Sequence, residues 1–445
     1  MNVPKIPGRG RLKLMFRALK YSNYRLFIGG QSLSLIGTWL QMVAMTWLVY
    51  RLTNSAFMLG IIGFAGQIPM LVVTPFAGVF ADRWNRHKTL LYTQILALLQ
   101  ALLISILVFT QCIQIWHLVV LSVFLGAINA FDMPVRQSFV TDMIENHKED
   151  IGNAVALNSS MVNSARLVGP SLAGILIATV GEGWCFLINA ISFIAVVVSL
   201  LRMKNLPEHK PVNGTRVSAE LRDGFSYTFG FPPIRFLILM LASVGLVSMS
   251  LTLLAPVFAK EYLHGDAQTF GFLMGAFGSG ALLGAIYLLN KRSVLGLGRV
   301  IGFAVTLFGG SMILFGFSKV FALSMALMFT SGTGMMLHLA STNTLLQTIS
   351  NESKRGRVMS FYAMAFRGLS PFGSLIAGGL ASAIGAPATV VISGTFILFM
   401  AMLYYRILPQ IKPLVRPIYE QLGILPQMAT GVQNAAYNAT KKVVP

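Results

Sequence analysis

The stretch Gly78-Val79-Phe80-Ala81-Asp82-Arg83-Trp84-Asn85-Arg86-His87-Lys88 joins two segments, 57–80 and 89–110, that carry no charged residue at all. Each segment is just over twenty residues long, enough for a helix to cross a hydrocarbon layer about 30 Å thick. A knot of charge between two such segments is a tight turn at a membrane face. Within it, Gly78 permits close approach of a neighbouring helix. Asp82 suits a helix N-terminus, where an anion is favoured, and Arg86 is placed to pair with an acid on the same face.

Outward from this turn the pattern repeats. Apolar stretches of crossing length occupy 26–50, 57–80, 89–110, 115–137, 154–180, 184–201, 234–258, 269–289, 299–317, 320–346, 358–382 and 387–408, twelve in all. The expected fold is therefore an all-α polytopic membrane protein. The composition agrees: of 445 residues 55% are hydrophobic and only 11% charged, about half the charged share of a soluble chain.

The net charge is +20, from 34 Lys and Arg against 14 Asp and Glu. The cations alternate with the spans. One side collects Lys5, Arg9, Arg17, Lys20, Arg83, Arg86, Lys88, Arg136, Lys148, Lys291, Arg299, Lys354, Arg355, Arg357 and Arg406, whereas the other keeps Arg51, Lys260 and Lys319. This asymmetry places both termini in the cytoplasm and explains the basic chain without a nucleic-acid partner. No phosphate-binding loop and no His/Cys cluster with metal-ligand spacing is present, so no cofactor and no metal is expected. The first 25 residues lack the compact apolar run of a cleavable signal peptide. Cys112 and Cys185 both fall at helix ends on the outer side, where a disulfide is conceivable and two isolated thiols are the simpler reading.

The longest polar interruption, 202–233, splits the spans six and six. It contains Leu206-Pro207, Lys210-Pro211 and Asn213-Gly214, which break helices, then a short amphipathic stretch from Ser218 to Tyr227. The expected organisation is a basic segment 1–25, a six-helix bundle 26–201, a linker 202–233, a second bundle 234–408 and a polar tail 409–445. The halves resemble one another: Arg166-Leu-Val-Gly-Pro170 in the fifth span matches Arg367-Gly-Leu-Ser-Pro371 in the eleventh, and Gln137 and Gln347 stand alike in the fourth and tenth. Repeated halves enclosing a midplane site are a recurrent transporter design.

The 78–88 turn resembles the loop 2–3 signature of the major facilitator superfamily, with Asn85 at a position where that pattern has glycine; asparagine tolerates the left-handed backbone. Further stretches resemble one branch, the transmembrane secretion effector family of enterobactin exporters and macrolide-efflux pumps: Asn23-Tyr-Arg-Leu-Phe27, Ser34-Leu-Ile-Gly-Thr-Trp-Leu-Gln41, Trp47 to Ser55, Asn129-Ala-Phe-Asp-Met-Pro-Val-Arg-Gln137 and Arg355-Gly-Arg-Val-Met-Ser360. The resemblance runs from about residue 16 to 408. It implies two pseudo-symmetric six-helix bundles working by alternating access, and a latch formed by Gly78, Asp82, Arg83, Arg86 and Asp132. It also implies export.

Several residues are candidates for the site. Gln31, Ser34, Thr38 and Gln41 share one face of the first span, and Ser331, Gly334, His338 and Ser341 one face of the tenth. The family places helices 1, 4, 7 and 10 around the cavity, so these faces and Asn129 are expected to meet substrate, the alternative being hydrogen bonds between helices. Asp132 is the carboxylate placed within an apolar span. It is read either as the helix 4 partner of Arg86 or as a proton-coupling group. His338, whose charge changes near neutral pH, is a second proton candidate. Arg166 and Arg367 either hold an anionic group of a substrate or brace helix backbone near Pro170 and Pro371.

The implied function is proton-driven export of a small amphipathic molecule, a siderophore-like metabolite or a drug, across a bacterial inner membrane by a monomer. A lysolipid flippase or an uptake permease shares the fold; a non-transporting membrane protein is the reading from another class.

Overall fold

Every described element is helical, as spans without polar partners require: in hydrocarbon the backbone satisfies its own hydrogen bonds only within a helix or a closed barrel. The computed structural model describes residues 17–144, 148–204, 225–291, 293–352 and 354–425, with the side chains of 74–83 and of several positions between 141 and 163 outside that description.

The helices are α1 (Ser22–Thr53), α2 (Ala56–Arg83), α3 (Arg86–Phe109), α4 (Ile115–Asp142), α5 (Lys148–Val180), α6 (Glu182–Leu201), α7 (Pro232–Leu253, extended to Tyr262), α8 (Ala267–Asn290), α9 (Leu297–Phe317), α10 (Phe321–Ile349), α11 (Arg355–Ala363 resumed as Ser370–Ile384) and α12 (Ala386–Gln421). Eleven of these are long and apolar enough to cross a membrane. The twelfth, α11, carries Arg367 and is interrupted by a π turn, Met364–Gly368; a second π turn, Phe258–Tyr262, ends α7. Short links make successive helices antiparallel, so one end of the molecule, the basic end, carries the α2–α3, α8–α9 and α10–α11 turns. The opposite end is here called the far end.

The twofold repeat is written in the packing. α2 packs on α4 as α8 on α10; α1 on α6 as α7 on α12; α3 on α6 as α9 on α12; and α1 on α5 as α7 on α11. The two most extensive crossings between the halves are α5 with α8 and α2 with α11, and these are partners under the same twofold. Both crossings need glycine. A Cβ on Gly174 would lie 2.7 Å from the Gly271 Cα, and one on Gly378 2.8 Å from the Gly60 Cα, so the backbones meet directly, as small residues allow between membrane helices.

Two local features differ from the sequence expectation. Asn85 has φ −66° and does not use left-handed backbone; it is the N-cap of α3, with its Oδ1 accepting from Lys88 N at 3.0 Å. And α12 runs on to Gln421 through Pro409, Pro413 and Pro417, where a surface tail was expected from 409. The four-residue spacing stacks the three prolines on one face, and Ile411 and Val415 remain buried on another. Of the linker, 205–224 lie outside the described residues, including most of the amphipathic stretch; residues 225–230 are helical. Cys112 is exposed and Cys185 buried, both as free thiols.

At the basic end a 3-10 turn, Arg17–Lys20, straps onto the start of α5. Asp150 pairs with Arg17 and Lys20, each at 2.8 Å, and accepts from the Tyr21 hydroxyl at 2.6 Å. Ala18 N donates to Asn153 Oδ1 and the Tyr24 hydroxyl to the Ala154 carbonyl.

Candidate functional site

The halves are clamped at the far end. Tyr50 at the end of α1 donates its hydroxyl to Glu261 in the π turn of α7, and Lys260 Nζ donates to Asn54 Oδ1 at 2.7 Å. The same ammonium lies 5.6 Å from the Tyr50 ring centroid, and Trp47 stacks on Phe270 of α8. Arg51 and Glu182 form a neighbouring ion pair within the first half.

Deeper in, the two arginines of the repeated motif face the boundary between the halves. The Arg166 guanidinium on α5 stands 5.8 Å over the Trp39 ring of α1, and the Arg166 carbonyl receives the close approach of Gly278 on α8. Arg367, in the π turn of α11, is exposed and touches Met133 Sδ of α4. Asn129, also exposed, lies one turn from Met133 on the same face.

Among the described residues neither guanidinium donates to a helix carbonyl, and both alternatives for the two arginines stay open. Beside the π turn of α11, the Ser370 hydroxyl donates to the Arg367 carbonyl at 2.9 Å and is also hydrogen-bonded to Gln67 of α2. Gln67 and Ser370 were not singled out from sequence. A glutamine alone in the apolar run 57–80 was the available signal.

The expected polar stripes mostly face inward. Gln41 donates to Gln100 Oε1 on α3 at 2.9 Å and accepts from Asn189 Nδ2 on α6 at 2.6 Å, while Gln31 and Ser34 are buried. Only Thr38 of that stripe is exposed, and its hydroxyl returns to the Ser34 carbonyl. On α10, Ser331, His338 and Ser341 are all buried, on the side where Gly334 abuts the Ala304 carbonyl of α9. His338 Nδ1 is 3.5 Å from Thr342 Oγ1, and the Nε2, Ser331 Oγ and Ser341 Oγ have no partner there. Hydrogen bonding within a bundle, the alternative raised from sequence, is where the structure places Gln41.

Asp132 is buried in the first half. Its carboxylate accepts from Thr93 Oγ1 at 3.0 Å and Gln94 Nε2 at 2.7 Å, and pairs with Arg136 one turn on. The four-residue spacing brings the Arg136 guanidinium of the same helix directly over Asp132. Gly78, Asp82 and Arg83 lie in the last turns of α2, and their side chains are outside the described residues. Beside them Trp84 stacks on Phe131, and His87 Nε2 is 2.9 Å from the Leu200 carbonyl.

The profile of the transmembrane secretion effector family matches residues 15–416. The chain is 24% identical to the staphyloferrin A transporter of Staphylococcus aureus over 87% of its length and 97% of that protein. It is 25% identical to the multidrug efflux pump Tap of Mycolicibacterium fortuitum over 79% and 88% of the two chains. Its fold is similar to that of the nucleoside transporter NupG, with a TM-score of 0.67 at 13% identity over 87% of this chain and 99% of the other.

Proposed function

Because the chain belongs to the transmembrane secretion effector family of major facilitator transporters, we propose that it exports a small amphipathic molecule across the bacterial inner membrane in exchange for protons. The basic end is the cytoplasmic one, with both termini there, and the monomer is the working unit. One observation carries the reading: the halves meet backbone to backbone and are bridged at the far end, while exposed Arg367 of the second half touches Met133 of the first, one turn from exposed Asn129. That is the arrangement of a carrier loaded from the cytoplasm, which releases cargo when the far-end bridges part and the halves rock.

Proton coupling is assigned to His338 rather than Asp132. Three donors already converge on Asp132, which suits an anchor of the cytoplasmic gate. His338 Nε2 is buried without a partner and so has a place for a proton.

The test is substrate-dependent proton movement in proteoliposomes that carry a pH dye and an acid-loaded lumen, with siderophores, macrolides and lysolipids outside. Alkalinisation of the lumen by one compound class is expected, and H338Q is expected to abolish it while leaving substrate counterflow. Counterflow with no proton movement under any condition overturns the antiport assignment; absence of both overturns export of these classes.

A further inference from the structure

α9 and α12 touch at two levels and leave a gap between them. A Cβ on Gly309 would lie 2.9 Å from the Gly394 carbonyl oxygen, so the backbones meet near the middle of the helices. Nearer the basic end, a Cβ on Gly302 would lie 2.7 Å from Tyr405 Cζ, so the tyrosine ring rests on the α9 backbone. Between these approaches the facing residues, Thr306 and Ala401, are small. A groove of about 450 Å³ remains there on the outer surface of the bundle, lined by Thr306, Leu398, Ala401, Met402, Tyr405 and Arg406. The Thr306 hydroxyl donates to the Gly302 carbonyl at 3.0 Å, so its polar group is already satisfied and the deep part of the groove is apolar.

The groove changes character along its length. α12 runs from the far end toward the basic end, so Leu398, Ala401 and Met402 lie deep and Arg406 stands at the mouth. The α12 stripe of Leu398, Met402 and Tyr405 continues through Pro409 to Lys412, and on α9 Arg299 shares the face of Thr306 two turns nearer the basic end. Gly298 lies against Leu408, whose Cδ1 would be 3.1 Å from a Cβ there, and this register sets Arg299 level with Arg406 across the seam. Arg299, Arg406 and Lys412 are exposed, and among the described residues no carboxylate pairs with any of them. None is near along the chain either: 291–320 and 386–419 contain no Asp or Glu, and Glu420 is taken by Arg416. The matching seam of the first half is built differently. There α6 ends at Leu201, and His87 at the start of α3 has its Nε2 2.9 Å from the Leu200 carbonyl.

An apolar trough on a membrane-facing surface, with cations on both walls at its open end, is complementary to a lipid with a negative headgroup; basic pockets between membrane helices hold such headgroups. We propose that the α9–α12 groove binds one anionic phospholipid from the leaflet at the basic end. An acyl chain lies along Leu398, Ala401 and Met402, the phosphate pairs with the Arg406 guanidinium, and Arg299 and Lys412 flank the headgroup. Neither α9 nor α12 belongs to the extensive crossings between the halves. The occupant is therefore a resident lipid held beside the second half, not cargo carried between the two.

The experiment is lipid titration of the full-length protein in neutral detergent. It is read by lipid retained in native mass spectrometry and by the midpoint of thermal unfolding, which a ligand of the folded state raises. Phosphatidylglycerol is the anionic lipid, phosphatidylcholine with the same chains the zwitterionic one, and glycerol phosphate an anion without chains. Phosphatidylglycerol is expected to be retained and to raise the midpoint, and the other two compounds to do neither. R406Q is expected to weaken retention about fivefold, the share of one cation at a membrane surface. R299Q/R406Q/K412Q is expected to erase the preference over phosphatidylcholine. T306W fills the groove without touching a charge and is expected to lower retention at least as far as R406Q; where a Gln variant does not fold, T306W decides. Equal retention of the two lipids by the wild type overturns the site, as does wild-type retention by T306W or by the triple variant. A midpoint raised as far by glycerol phosphate as by the anionic lipid overturns it too, because a headgroup anion alone then suffices.

Discussion

Lys260 Nζ donates to Asn54 Oδ1 at 2.7 Å, and this bond ties the end of α7 to the end of α1 across the boundary between the halves. Asn54 is the C-cap of α1 with φ 47°, in the left-handed region that asparagine tolerates, and that backbone directs its side chain outward to the lysine. An exposed bond of this kind contributes on the order of 0–1 kcal/mol, so it tunes an equilibrium rather than dictating it. Loss of Lys260 together with the Tyr50 hydroxyl, in Y50F/K260Q, is expected to speed labelling of a T38C cysteine by an impermeant maleimide added at the far side by roughly threefold to tenfold. An unchanged rate removes these residues from the gate.

The glycine crossing between α5 and α8 makes a stronger demand. A Cβ on Gly271 would lie 2.5 Å from the Gly174 Cα, so nothing larger fits without separating the helices. G271L is expected to cost about 1–3 kcal/mol in the far-end-closed state, the usual penalty for overpacking. Its signature is a T38C labelling rate above that of the wild type together with a lower midpoint of thermal unfolding. Wild-type values for both would show that the crossing is not required.

Gln41 separates a structural from a substrate-binding role. Replacing it by leucine leaves the Gln100 Oε1 and the Asn189 Nδ2 short of partners inside the first half, a loss of about 1–3 kcal/mol. Q41L is therefore expected to lower thermal stability while leaving the transport KM unchanged. A changed KM at unaltered stability would return Gln41 to the cavity.

The strap at Asp150 has a pH dependence of defined sign. Hydrogen bonds from Lys20 and Tyr21 hold the Asp150 carboxyl below the usual carboxylate range, and the same pairing holds the Lys20 ammonium above the usual lysine value. The contribution of Asp150 is fully present above its unfolded value of about 3.9 and is lost as pH falls through the lowered native one. That of Lys20 is fully present below about 10.4 and lost as pH rises through the raised native value. A nitroxide at L19C is thus expected to remain immobile across neutral pH and to loosen only in acid or strong alkali. D150N loosens it at pH 7. A label equally mobile at pH 7 in wild type and D150N would dissolve the strap.

The latch implied by the family resemblance of the 78–88 turn makes Asp82 its testable residue. D82N is expected to impair transport at least tenfold with normal membrane insertion, read by efflux and by surface expression. Undiminished efflux would end the latch assignment.

Spans, the alternation of cations and the twofold repeat were all legible, because each follows from length, charge or motif along the chain. The arginine pair was legible too, in Arg166-x-x-x-Pro170 and Arg367-x-x-x-Pro371. What spacing does not say is which neighbour a helix face meets. Gln31, Ser34, Thr38 and Gln41 share a face, yet Thr38 is exposed while Gln41 meets Gln100 and Asn189, polar residues 59 and 148 positions away. The Asp132–Arg136 pair lay within one turn and was visible; the preference for Arg86 came from resemblance. Tyr50, Asn54, Lys260 and Glu261 were hidden because their role depends on two halves meeting. The π turns have no local signature in composition.

The π turn at Met364–Gly368 has a consequence for how this protein can change over generations. Such a turn is an α-helical turn carrying one surplus residue. Deleting a single residue from it restores the regular ladder and leaves the flanking helix facing nearly as before, because the surplus residue is what the turn had absorbed. Arg367 lies inside the turn, so its own place in the helical register, rather than that of the flanking residues, is what such a deletion shifts. A one-codon deletion that retains the arginine is thus expected to re-aim this one charge while the packing of α11 on either side of it stays as it is.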